Sequence, residues 1–146
     1  MKRQLTVSAM ALIAMSACTD DGTGVAPDDI AGIWTASSAV FTSVADPTVS
    51  EDAVVEGVTV TITLGADDTY TLAVTIPDEP NEDDAGMYAV SGSTLTLTPT
   101  SVEDDLETFA VARDGDSMTL TASDNEWAFG ENEVEEAATL VMNLTR

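Results

Sequence analysis

Histidine is absent from this chain, cysteine occurs once, and only four basic residues stand against 27 Asp and Glu. A single thiol cannot form a disulfide within the chain. Without imidazole, neither His-dependent acid–base catalysis nor the usual zinc ligand sets are available. Lysine occurs only at Lys2, so a Ser–Lys nucleophile pair further along is excluded. Catalysis would therefore need paired carboxylates, or a Ser or Thr with an unusual base. Nothing in the sequence singles out such a constellation, and the reading is a non-enzymatic protein without cofactor or metal. Aromatics are 5% of residues, which leaves little for stacking a flat ligand.

The shortage of cations also limits partners. The formal net charge of the whole chain is −23. Such a surface repels phosphate backbones, so nucleic acid is not an expected partner. Repulsion between like-charged copies favours a monomer, and screening in a salty habitat would make so acidic a surface tolerable. The 146 residues are 44% hydrophobic, with the acidic residues spread between apolar runs. That composition suits one folded domain rather than a disordered acidic tail.

The chain opens with Lys2 and Arg3, followed by a short apolar stretch from Leu5 to Ala17. It falls short of the ~20 apolar residues needed to span a bilayer, so a cleaved export signal over 1–17 is expected. The stretch ends Met15-Ser16-Ala17-Cys18, which resembles a lipobox, with Met15 in place of the commoner Leu. The resemblance implies transfer of diacylglycerol to the Cys18 thiol, cleavage before Cys18 and acylation of the new amino group. The mature chain would then hold two basic residues against 27 acidic, a net charge of −25. Acyl chains contribute ~0.8 kcal/mol per buried methylene, and several of them make a stable anchor. Residues 18–29 read as a flexible acidic tether, and the domain as 30–146. Thr19 after the lipidated cysteine, where an Asp would direct retention, favours the outer membrane by resemblance to enteric sorting. A lipid-anchored cell-envelope protein, touching the membrane through Cys18, is the expected localisation.

From Ala31 the hydrophobic period is two, as in strands with one buried side. Val58, Val60, Ile62 and Leu64 alternate with threonines, and Tyr70, Leu72, Val74 and Ile76 repeat the pattern. Leu95 and Leu97 alternate with threonines in their turn, and near the end Leu140, Met142 and Leu144 form a further series. β-Branched threonine suits the wet face of such a strand. Gly65–Asp68, Ser91-Gly92 and Asp114-Gly115 carry turn chemistry, the last as a two-residue hairpin signal. Pro77–Asp84, with two prolines and a carboxylate cluster, reads as a loop. Strands are expected at about 31–43, 54–64, 68–76, 85–91, 93–99, 106–113, 116–122 and 135–145, with Asn125–Phe129 extending the seventh or its loop, and no helix. Eight short antiparallel strands fit an all-β, up-and-down barrel or a two-sheet sandwich. Sequential hairpins favour the barrel, whose closure also removes exposed edges.

Ile30-Ala31-Gly32-Ile33-Trp34 resembles the first strand of a lipocalin-like domain, with its Gly-x-Trp signature. A Gly-x-Tyr strand at Gly86–Tyr88, a Gly-Asp-x-Met-Thr-Leu strand at Gly115–Leu120 and a last strand ending Leu144-Thr145-Arg146 follow the order of small bacterial lipocalin-like lipoproteins. The resemblance covers about Ile30 to Arg146. It implies that Trp34 plugs the closed end of the barrel and that Arg146 packs over it, a cation–π contact of ~0.5–2 kcal/mol.

An eight-stranded barrel can be filled or can hold one small ligand. The inward set gives the candidate lining of a cavity for a small apolar ligand: Val60, Ile62, Leu72, Val74, Leu95, Leu97, Phe109, Leu120, Leu140 and Met142. The carboxylate clusters at Asp78-Glu79, Glu82–Asp84, Glu103–Asp105 and Asp114–Asp116 lack EF-hand spacing and read as solvated loops rather than a calcium site. The alternative function is a structural or protein-interaction module of the envelope that works through those acidic loops.

Overall fold

Alternation of apolar side chains with threonine is realised as strands almost throughout the computed structural model, which describes residues 24–101, 106–130 and 134–146. After a single helical turn, α1 (Pro27–Ile30), come β1 (Gly32–Ser43), β2 (Ser50–Asp52), β3 (Thr59–Leu64), β4 (Thr69–Thr75), β5 (Glu82–Ser91), β6 (Thr94–Pro99), β7 (Glu107–Asp114), β8 (Ser117–Ala128) and β9 (Glu135–Thr145). Each strand from β3 onward pairs antiparallel with the next, and β1 pairs with both β3 and β9. The sheet therefore closes into an eight-stranded up-and-down barrel, with β2 as a short extra strand on the later half of β1. Closure leaves the eight barrel strands without a long free edge.

The expected strands are found, with four differences. Residues 54–57 form turns and Val58 leads into β3, where the start of a strand is expected. Glu82–Asp84, read as loop, pair with Leu72–Val74. Ser50–Asp52, between two expected strands, forms the short β2. Finally, Pro27–Ile30 is helical although no helix is expected from the sequence. Pro27 at the first helical position and two carboxylates in the first turn are local features that favour such a turn.

The tight hairpins lie one residue later than the sequence signals suggest. Ser91 pairs with Thr94 around Gly92-Ser93, and Asp114 with Ser117 around Gly115-Asp116. Gly92 and Gly115 adopt φ of 61° and 59°, which suits the Gly-first turn whose twist matches the flanking strands. Gly86 has another task. A Cβ there would lie 2.0 Å from the Thr98 carbonyl oxygen and 2.9 Å from the Tyr70 ring, so the Gly-x-Tyr strand needs glycine for close packing.

Inward residues form one core that runs from Ile30 and Trp34 through Leu64, Leu95, Leu97, Met118, Leu120 and Leu144. The barrel has two unlike ends. The starts of β1, β4, β6 and β8 share one end with short turns and α1. The starts of β3, β5, β7 and β9 share the other, with the longer connections.

Candidate functional site

At the short-turn end the barrel is sealed. Trp34 is fully buried and donates its indole N–H to the Ile30 carbonyl at 2.7 Å, which fixes α1 beneath the core. The Arg146 guanidinium carbon lies 4.9 Å from the centroid of the Trp34 ring. Its Nη1 donates to the Ala31 carbonyl at 3.3 Å, and its Nε pairs with Asp116 at 3.2 Å. Arg113 reaches Asp29 of α1 at 3.7 Å. Both cations among the described residues therefore hold the same plug. The chain is already held before it, since the Val25 N–H donates to the Gly92 carbonyl at 3.0 Å. Gly24–Asp29, read from sequence as the end of the tether, thus lie against the barrel. Cys18 and the rest of 1–23 lie outside the described residues.

Two buried tyrosines brace the wall between the two ends. The Tyr88 hydroxyl donates to the Gly65 carbonyl at 2.8 Å, and the Tyr70 hydroxyl donates to Asp84 at 2.5 Å. Burial raises the pKa of Tyr70 above the ordinary phenol value, and its bond to the Asp84 carboxylate adds to the rise. For Tyr88, burial is again the first cause, followed by the nearby Asp68, Asp28 and Asp67 charges.

The opposite end is hollow. A cavity of about 150 Å³ lies between β1, β3, β4, β7, β8 and β9. Six of the expected lining residues border it: Val60, Leu72, Val74, Phe109, Leu140 and Met142. Ile62, Leu95, Leu97 and Leu120 do not. They point inward too, but they are packed within the core and do not border the space. Alternation tells which face a side chain takes, not how far along the barrel it sits.

Three lining residues escape a reading by alternation. Phe41 and Trp127 stack with ring centroids 4.0 Å apart and planes 11° from parallel, and buried Asn125 stands beside them. All three follow a β-bulge, between Ala36 and Ser38 in β1 or between Ala122 and Asn125 in β8. Each bulge reverses the parity of inward positions, from Trp34 to Phe41 and from Leu120 to Asn125 and Trp127. Glu51 of β2 secures this wall: its carboxylate accepts from the Trp127 indole N–H at 3.0 Å and from the Gly130 amide at 2.8 Å. Asp52 ties the same segment to β1 by accepting from the Ala39 amide at 2.9 Å.

Four carboxylates, from Glu82, Glu107, Glu126 and Glu135, border the cavity as well. No group of three or more Asp, Glu, Cys or His converges as a metal ion requires, among the described residues.

The fold and the site define a class: a closed, up-and-down, eight-stranded β-barrel that is plugged at one end and hollow, apolar and acid-rimmed at the other. Neither a scan against protein-family models nor a search of curated proteins finds a match to this chain.

Proposed function

We propose that this chain is a lipid-anchored lipoprotein of the cell envelope whose lipocalin-like barrel, a monomer, binds a small apolar molecule without catalysis. The observation that carries the reading is the cavity of about 150 Å³, walled by Val60, Leu72, Val74, Phe109 and Leu140, opposite a packed end. A largely apolar space of this size suits a guest about as large as one aromatic ring. Removing such a guest from water is favourable by about 25 cal/mol per Å² of apolar surface. An acylated Cys18 would be joined to the plugged end, because the chain meets the barrel at Val25 beside Gly92. The six Cα-to-Cα steps from Cys18 to Gly24 reach ~20 Å at most when extended, which keeps that end close to the anchoring membrane, the outer one by the sorting resemblance.

Native mass spectrometry of protein extracted mildly from its own membrane tests both parts. The expected spectrum shows acyl mass on a chain that begins at Cys18, a monomer, and a small bound molecule lost on activation. A chain without acyl mass removes the anchor. An acylated chain that never carries a guest, and binds no ring-sized apolar probe, favours instead an interaction module acting through its acidic loops.

A further inference from the structure

We infer that the guest is a small apolar cation, an organic amine or quaternary ammonium, rather than a neutral molecule or a fatty acid. The inference rests on the reading that the cavity takes a ligand, and it concerns the charge that the rim selects.

Glu82, Glu107, Glu126 and Glu135 border the cavity at the starts of β5, β7 and β9 and the end of β8. Among the described residues, no basic side chain borders it. Arg113 and Arg146, the cations among the described residues, are held against α1 and the Trp34 plug at the other end. An anionic head group in the mouth would face several carboxylates and no counter-charge. A neutral guest gains apolar burial alone, whereas a monocation gains the same burial and Coulomb attraction to the rim.

The arrangement also separates an organic cation from a metal ion. Among the described residues the rim carboxylates border the opening without converging into a ligand cluster, so they offer a broad negative potential rather than a coordination shell. That suits a charge spread over a bulky ammonium. The stacked Phe41 and Trp127 rings add faces on which such a cation is attracted electrostatically. Trp127 is fixed there by its bond to Glu51. Buried Asn125, also in the lining, carries an amide oxygen that can accept from an ammonium N–H.

Three probes with one ring and different charge provide the test: benzylammonium, benzyl alcohol and benzoate, titrated into the full-length chain by calorimetry or NMR at low and high salt. The expected order is benzylammonium tightest, benzyl alcohol weaker by about tenfold at low salt, and benzoate without measurable binding. High salt should narrow the gap between the first two. The variant E82Q/E126Q/E135Q should bind the alcohol as before and lose most of the preference for the amine. A variant with three charges removed elsewhere, D28N/D68N/D114N, should keep it. Equal affinities for amine and alcohol would overturn the charge selection and leave the cavity as a neutral apolar site. Equal loss of preference in both triple variants would overturn the role of the rim, since the whole molecule's field would then be the cause. If no probe binds, or if V74F, which narrows the cavity, leaves all affinities unchanged, the cavity reading itself falls and this inference with it.

Discussion

The two ends of the barrel use the same materials for different ends. At the plugged end, Ile30, Trp34, Leu64, Leu95, Met118 and Leu144 are all within 1% of complete burial, and Trp34 and Arg146 donate to the Ile30 and Ala31 carbonyls. At the hollow end, Leu72, Val74 and Met142 are only half-buried, and they face a space that protein atoms do not fill. Aliphatic side chains alone do not separate core from pocket. What separates them is a plug: one turn of helix, one indole and two guanidinium groups close the lower mouth, and among the described residues nothing equivalent closes the upper one. Stability should therefore be concentrated at the first end and selectivity at the second.

The hardest test of that division is Trp34→Ala. It removes the largest fully buried side chain and the indole bond to Ile30, and should cost about 3–5 kcal/mol in chemical denaturation. Phe41→Ala, at the hollow end, should cost clearly less, because its ring already adjoins open space on one side. Equal losses would mean that the cavity is packed in solution.

Enlargement should show the same contrast in reverse. Val111 is 3% exposed within the core, and Val111→Phe should lose about 1–3 kcal/mol by overpacking. Val74→Phe extends into existing space, so its denaturation midpoint should stay where it is or rise. A matching loss at Val74 would indicate that the wall of the cavity cannot give way and that the space is smaller than it looks.

How much of this division is legible in sequence follows from the same residues. Period-two alternation is enough to find the barrel strands, because threonine outside and aliphatics inside fix each strand's facing. The plug pair Trp34 and Arg146 is placed by the Gly-x-Trp resemblance and not by alternation. Depth along the barrel is invisible to a repeat of two, so Leu95 and Val74 look alike. Bulges are invisible as well, and they hide Phe41, Asn125 and Trp127, since every inward position after a bulge has the opposite parity. Glu82–Asp84 are misread for a different reason. Their strand character comes from pairing with β4 at the rim, a tertiary effect that outweighs the low strand preference of carboxylates. The helical turn at Pro27–Ile30 does have a local signature, in Pro27 followed by Asp28-Asp29, but a single turn takes its stability from the core residue Ile30.

Alkaline titration examines the body of the barrel between the two ends, because the Tyr88 hydroxyl is bonded to Gly65 at the plugged end and the Tyr70 hydroxyl to Asp84 towards the rim. Their folded-state pKa values are raised, so the unfolded chain releases its phenol protons at lower pH than the folded chain does. Stability from these groups is complete below the ordinary phenol pKa near 10 and is lost as pH climbs above it towards the folded values. Phenolate absorbance should accordingly lag behind that of free tyrosine and then appear together with unfolding. Tyr70→Phe should lessen the alkaline loss, although it leaves the half-buried Asp84 without its hydroxyl donor. Titration of both phenols at the ordinary value with the fold intact would show that the interior between the two ends is open to water.

The smallest expected change is also the one most specific to the plug. Arg146 lies over Trp34 while bonding Ala31 and Asp116. Its partner Asp116 is largely exposed, so the ion pair itself contributes little and is screened by salt. Most of the effect of Arg146→Ala should come from the guanidinium over the indole, about 0.5–2 kcal/mol, and should persist at high salt. Arg146→Lys should recover only part, since an ammonium can sit above the ring but lacks the planar fork that reaches Ala31 and Asp116 together. Neither change should alter the affinity of a ring-sized probe, because the cavity lies at the far end of the barrel. A shift in probe affinity on Arg146→Ala, at unchanged fold, would show that the plug and the pocket are coupled through the intervening core and that the two ends do not act independently.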